Sequence, residues 1–142
     1  MYIIFQSTTF MQWDYYKQHL EKSPRGQKKG DLTPLFRDAL VFRNLVNDLS
    51  KPFLHTKFDA VASLDALGFV LGSAIAYKMK KGMITIRKAH KLPIRSSHVR
   101  RTWFVDYSGE RKGLEIDRRA MKKKILLVDD WIETGTQAKA AL

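Results

Sequence analysis

The apolar positions change period along the chain, and each change marks an element. From residue 33 onward, Leu35, Phe36, Ala39, Phe42, Leu45, Val46 and Leu49 fall at the spacing of one helix face. Thr33-Pro34 predicts the start, with Thr33 as N-cap and Pro34 at the first helical position, and Lys51-Pro52 predicts the stop. The period is lost in 58–64, Phe-Asp-Ala-Val-Ala-Ser-Leu, a short apolar run that predicts a strand. Residues 68–80 predict a helix that is apolar nearly all round (Phe69, Val70, Leu71, Ala74, Ile75, Ala76, Met79) and therefore largely buried. Gly72, Ser73 and Ala74 give it a small face for close packing on a sheet, and Gly82 is its predicted stop. Further strands are predicted at 83–86, 114–116 and 124–128, and a helix begins at 138. Between Lys91-Leu92-Pro93 and residue 112 there is little apolar periodicity, so 95–112 reads as a flexible loop. Trp13, Tyr15, Tyr16 and Leu20 suit part of a helix docked on the core, and 23–30 reads as an exposed basic loop. The order strand–helix–strand, insertion, strand–helix predicts a single α/β domain over 1–142, with a mostly parallel central sheet flanked by helices.

Composition narrows the chemistry. A chain of 142 residues with 44% apolar content can bury a core. It has no cysteine, which excludes disulfides and thiolate metal sites. No apolar stretch is long enough to span a membrane, and Met1-Tyr2-Ile3-Ile4-Phe5 lacks the basic lead of a signal peptide, so a cytoplasmic location is expected. The net charge of +12 predicts an anionic partner, either nucleic acid or a polyanionic metabolite. The basic clusters lie at 78–91, 95–101, 111–119 and 122–124; zinc-finger spacing and an RNA-recognition aromatic signature are absent. His19, His55 and His98 have no partners at metal-ligand spacing.

The richest stretch is Lys124-Ile125-Leu126-Leu127-Val128-Asp129-Asp130-Trp131-Ile132-Glu133-Thr134-Gly135-Thr136-Gln137-Ala138. An apolar strand runs into two adjacent carboxylates, and a Thr-Gly-Thr turn opens a helix. Ligands of open α/β sheets sit at the carboxyl ends of strands, and the first turn of a helix offers unpaired N–H groups to a phosphate. Acids for hydroxyls beside amides for an anion suit a phosphorylated sugar. The same run also reads as a βα turn whose acids cap the helix. Trp131, next to the acids, either shelves a ring or packs on the sheet.

This run resembles the signature loop of the type I phosphoribosyltransferases, in which an apolar strand is followed by Asp/Glu-Asp, two mostly apolar residues, Ala/Thr, Thr, Gly, Gly, Thr/Ser. Asp129, Asp130, Thr134 and Gly135 match; Glu133, Thr136 and Gln137 depart from it. Because Thr136 replaces the second glycine and resists positive φ, the loop is expected to follow a slightly different path, or the phosphate contact to be altered. Three more segments are similar, in order, to the adenine phosphoribosyltransferases of that family. Residues 58–72 look like their pyrophosphate-side strand and loop. Arg87-Lys88-Ala89-His90-Lys91-Leu92-Pro93 looks like their Arg-Lys-x-Gly-Lys-Leu-Pro, and Asp31-Leu32-Thr33-Pro34-Leu35 like their Asp-Ile-Thr-Pro-Leu. Asp106-Tyr107 with Leu114-Glu115-Ile116 echoes their mobile hood, Glu-Tyr then Leu-Glu-Ile.

The resemblance implies an enzyme that moves ribose 5-phosphate from phosphoribosyl pyrophosphate to a purine base, as in adenine-type salvage, and releases pyrophosphate. It assigns the ribose hydroxyls to Asp129 and Asp130 and the 5′-phosphate to Glu133, Thr134, Gly135, Thr136 and Gln137. Pyrophosphate falls to Asp65, Ala66, Leu67, Gly68, Arg87, Lys88 and Lys91, and catalysis to Asp106, Tyr107 and Asp130. Mg2+ would be held by the substrate and by water near Asp129 and Asp130, the hood would close over the site, and the molecule would be a homodimer. Leu67 stands where the family carries arginine, His90 where glycine is common, and Lys29-Gly30-Asp31 where the family has Phe-Arg-Asp. The family continues well past the equivalent of Gln137, so a C-terminal part is expected to be missing here, or another subunit to cover the sheet edge. The alternative is a non-catalytic regulator that binds phosphoribosyl pyrophosphate, or a relative that binds nucleic acid.

Overall fold

The computed structural model describes residues 2–4, 13–20, 31–106, 108–132 and 134–142. In chain order its elements are β1 (Tyr2–Ile4), α1 (Trp13–Lys17), α2 (Thr33–Arg37), α3 (Ala39–Ser50), β2 (Ala60–Leu64), α4 (Leu67–Lys78), β3 (Gly82–Lys88), β4 (Val99–Val105), β5 (Arg111–Asp117), β6 (Ile125–Val128) and α5 (Thr136–Ala140). Single 3-10 turns occupy Lys51–Phe53, Ser96–His98 and Arg118–Ala120. The contacts fall into two compact units. One takes β1 with residues 57–142, and the other holds the helices that come before Thr56. The basic stretch 23–30 lies outside the described residues.

In the helical unit, the predicted continuous helix is two. Asp38 is extended (φ −92°, ψ 120°) and breaks it, and its carboxylate accepts the N–H groups of Leu40 (2.8 Å) and Val41 (2.9 Å) to start α3. The apolar spacing did not show this break because Asp38 falls on the polar face. Thr33 is the first helical residue of α2 and not its cap; Asp31 supplies the oxygen, 2.9 Å from Thr33 N, and also bonds the Thr33 hydroxyl. Val41, Leu45, Val46 and Ser50 form the buried stripe of α3. Helix α1 is five residues long, with Leu20 beyond its end. Tyr16 is buried and donates its hydroxyl to Asp48 Oδ2 at 2.7 Å.

The other unit is a six-stranded sheet in the order β1-β6-β2-β3-β5-β4. The β1–β6, β6–β2 and β2–β3 pairs are parallel, while β3–β5 and β5–β4 are antiparallel. This is the mostly parallel α/β sheet that the sequence predicts. Strand β2 is buried at every position, as a central strand covered on both faces must be. On one face Ala60, Ala62, Leu64, Ile84, Ile86, Leu114 and Leu127 form a core with Ala138 of α5. On the other, Gly72 of α4 lies so close to β2 that a Cβ there would overlap Ser63 Oγ.

Three expectations change. Helix α4 is not buried all round: Gly68, Leu71, Gly72, Ile75 and Ala76 form one buried stripe, while Val70, Ser73 and Tyr77 are exposed. Its end is made by Lys80 at φ 53°, with Lys81 N–H returning to Ala76 O at 2.9 Å, and Gly82 opens β3 instead. The 95–112 loop is largely a β-hairpin, because β4 pairs with β5 along its whole length from Val99–Asp117 to Val105–Arg111. Its periodicity was hidden because the outward face of this end strand mixes Arg101 with the exposed Trp103 and Val105, so apolar and polar residues do not alternate. Finally, Tyr2–Ile4, left unplaced by the sequence, is a strand, so the sheet continues beyond β6.

Candidate functional site

Parallel strands bring their carboxyl ends to one edge, so the turns after β2, β3 and β6 are neighbours. Each carries one of the predicted site segments. After β2, Asp65 N–H reaches Ile86 O (3.2 Å), the Asp65–Ala66 peptide is cis, and α4 starts at once. No side chain caps α4, and of its first-turn amides Phe69 N–H bonds Ala66 O at 3.1 Å. Gly68 sits directly against the end of β6. A Cβ there would lie 3.1 Å from Asp129 Oδ1 and 3.3 Å from both Asp129 Cα and Val128 O. The absent side chain thus seats the first turn of α4 on the acidic pair, which sequence spacing alone could not reveal.

The turn after β3 carries the cations. Asp65 Oδ2 accepts Lys88 N–H at 3.2 Å and lies 3.9 Å from Arg87 Nε. Arg87 Nε, Asp65 Oδ1 and Ser63 Oγ are all buried without a hydrogen-bond partner among the described residues. Buried polar atoms normally find partners, so the orphaned atoms of Arg87 and Asp65 leave hydrogen-bonding capacity open at this turn, whereas Ser63 Oγ lies beneath Gly72 of α4. Lys88, His90 and Lys91 are exposed there. His90 adopts φ 66°, a left-handed conformation that explains why glycine suits this position.

After β6, Asp129 and Asp130 are half-buried, and Asp129 Oδ1 accepts Asp130 N–H at 3.0 Å. Trp131 follows, half-buried, with its indole Nε1 also orphaned. The left-handed residue of the next turn is Gly135, at φ 75°, and not Thr136, which begins α5. Thr136 therefore avoids the positive φ that its side chain resists. Thr134 Oγ1 lies 2.9 Å from Thr136 Oγ1 and accepts Thr136 N–H at 3.4 Å. Glu133 and Tyr107, both predicted site residues, lie outside the described residues.

Two acids have other work. Asp106, one of the residues to which the resemblance gives catalysis, follows β4 and accepts bonds from Ser108 N–H (2.9 Å), Ser108 Oγ (2.6 Å) and Glu110 N–H (3.2 Å), with Lys112 Nζ as a fourth partner. The Lys112 ammonium and the Ser108 hydroxyl hold its carboxyl far below the usual carboxylate range. The carboxylate thereby caps the turn between β4 and β5. Glu115, which carried no assigned role, is 2% exposed on β5. Burial opposes its charge, but bonds from His90 N–H, Arg101 and Leu92 N–H outweigh that and hold its pKa below the ordinary value.

The chain shares 40% identity over 112 residues with an adenine phosphoribosyltransferase of Chelativorans sp., covering 79% of this chain and 61% of that protein. With the enzyme of that name from Thermotoga neapolitana it shares 35% over 130 residues, covering 89% of this chain and 75% of the relative. The chain belongs to the adenine phosphoribosyltransferase family. The type I phosphoribosyltransferase fold that defines this family is the fold found here: the crystal structure of the Saccharomyces cerevisiae adenine phosphoribosyltransferase, in complex with D-2,5-dideoxy-2,5-imino-altritol 1,6-bisphosphate and adenine, superposes with a TM-score of 0.78 at 28% identity, over 90% of this chain and 76% of that one. No family model matches the chain. The chain spans about three fifths of the length of the Chelativorans relative.

Among the described residues, no group of three or more His, Asp or Glu could enclose a metal, and no helix is long and apolar enough to cross a membrane. Adjacent carboxylates at a strand end still fit magnesium, which keeps several waters and needs only one or two protein acids beside substrate phosphates.

Proposed function

We propose that the chain binds phosphoribosyl pyrophosphate and transfers its ribose 5-phosphate to a purine base, adenine first, releasing pyrophosphate. The observation that carries this is the contact of Gly68 with Asp129, which joins the two predicted halves of a donor site. Asp129 and Asp130 take the ribose hydroxyls. The 5′-phosphate falls to the amides from Thr134 to Gln137, at the start of α5. The first-turn amides of α4, with Arg87, Lys88 and Lys91, take the pyrophosphate. Magnesium, held near Asp129 and Asp130 largely through water, supplies charge neutralisation for that leaving group. Breaking the glycosidic bond leaves positive charge on the ribose and negative charge on the departing oxygens. Fixed acids on one side and cations on the other stabilise that separation. Adenine as acceptor is supported by the family and by the adenine-bound yeast relative.

The test is to incubate the chain with donor, magnesium and each purine base and to follow pyrophosphate release. Adenine-dependent release is expected; absence of turnover with every base, together with absence of donor binding by calorimetry, would reject the reading. Donor binding without turnover would instead identify a regulator. A nucleic-acid reading also has support: residues 87–124 hold thirteen Lys or Arg against four Asp or Glu. Within them Trp103 is 45% exposed, with the guanidiniums of Arg111 and Arg101 at 4.9 and 5.9 Å from its ring. Binding to single-stranded oligonucleotide that weakens steeply with salt would favour it.

A further inference from the structure

We infer that Glu115 is a positioning residue that sets the shape of the cationic turn after β3 and so its grip on a pyrophosphate group. The inference rests on the pyrophosphate reading of that turn. In the ladder, Glu115 of β5 stands opposite Arg87 on one side and Arg101 on the other. Its two oxygens divide their work. Oε1 accepts Arg101 Nε at 2.8 Å and Nη2 at 2.5 Å, which fixes the carboxylate to β4. Oε2 accepts Leu92 N–H at 3.3 Å, and His90 N–H donates to the same carboxylate.

The turn between β3 and Pro93 is thereby held at both ends by an acid. Asp65 takes Lys88 N–H at its start, and Glu115 takes His90 and Leu92 N–H at its finish. Between these anchors lie Lys88, His90 and Lys91, with His90 in the left-handed conformation that a side chain resists. Backbone bonds at this turn come from Ala89 N–H to Gly113 O (2.8 Å) and Lys91 N–H to Lys88 O (3.2 Å), neither of which restrains His90 N–H or Leu92 N–H. A buried carboxylate is costly unless its hydrogen bonds are filled. Here they are filled by the arginine and by the backbone of the segment that presents the cations. Glu115 touches no anion itself; it acts through the turn.

The test uses the full chain with Glu115→Gln, which keeps the shape and removes the charge, and Arg101→Ala on the exposed end strand as a second variant should the first not fold. Two quantities are read: amide hydrogen exchange at His90 and Leu92, and the affinities for inorganic pyrophosphate and for ribose 5-phosphate by calorimetry. In Glu115→Gln we expect exchange at both amides to rise about tenfold or more, the change expected from losing a hydrogen bond to a charged group. Amides of β2 and β6 should stay unchanged. Pyrophosphate affinity should fall about tenfold while ribose 5-phosphate affinity holds. Arg101→Ala should shift the same two readings in the same direction, by less. Unchanged exchange at His90 and Leu92, or equal losses for both ligands, would overturn the inference. Failure of the unaltered chain to bind pyrophosphate would sink the reading of the turn as a pyrophosphate site, while the exchange data would still decide whether Glu115 shapes it.

Discussion

Gly68 shows how one missing side chain can assemble a site. A Cβ there would meet the Asp129 carboxylate at 3.1 Å and, at 3.3 Å, the backbone of Val128 and Asp129, which cannot swing aside as a side-chain end can. Gly68→Ala should push α4 away from Asp129 at a cost of about 1–3 kcal/mol, the range for overpacking a close contact. Donor affinity should fall with it. Chemical denaturation and calorimetry on the same sample check both, and a variant with full affinity and full stability would show that the contact does not hold the site together. Asp106 teaches the opposite lesson: the chemistry of a residue depends on what already occupies it. Its carboxylate fills a turn with four hydrogen bonds, structural work that its place in the sequence did not suggest.

At the scale of the element, termini decide more than periodicity does. The face of α2 and α3 is continuous in sequence, yet one extended aspartate divides it. Asp38→Ala removes a side-chain cap and should cost about 1 kcal/mol, measured as a lower denaturation midpoint with an unchanged m-value. Helix α1 is joined to α3 by the Tyr16–Asp48 bond. Burial first, and then the hydrogen bond and charge of Asp48, raise the Tyr16 pKa well above its ordinary 10.0. A tyrosine whose pKa is raised by folding adds stability that is fully present below the unfolded pKa and lost as pH climbs toward the folded one. Stability of the native chain should therefore decline above about pH 10, and Tyr16→Phe should flatten that decline. Thermal melts across pH 8 to 12 separate the two, and equal slopes would disprove the linkage.

At the scale of the whole molecule, charge and topology dominate. Most of the +12 is concentrated in residues 87–124, which include the turn assigned to pyrophosphate and the hairpin β4–β5. Such a field attracts anions and is screened by salt. Raising ionic strength from 0.1 to 1 M, where the Debye length shrinks from about 10 Å to about 3 Å, should weaken pyrophosphate and donor binding while leaving the affinity for a neutral purine nearly constant. Equal salt dependence for all three would show that the field has no part in recognition.

The sequence by itself determined the parts whose information is local. The apolar runs of β2, β3 and β6 predicted a parallel sheet; the acids after β6 and the cations after β3 predicted the chemistry. Each depends on a few adjacent residues, and order along the chain was enough to place them. The tertiary structure decided what depends on residues far apart. It paired β4 with β5, where arginines on both faces and the exposed Trp103 and Val105 leave no alternation to read. It put Gly68 on Asp129, 61 positions away, and turned Glu115 toward the backbone of His90 and Leu92. It also placed the left-handed residue of the last turn at Gly135. Period and composition report which way a side chain must face; only the register between strands and the approach of helix to sheet fix which group it meets there.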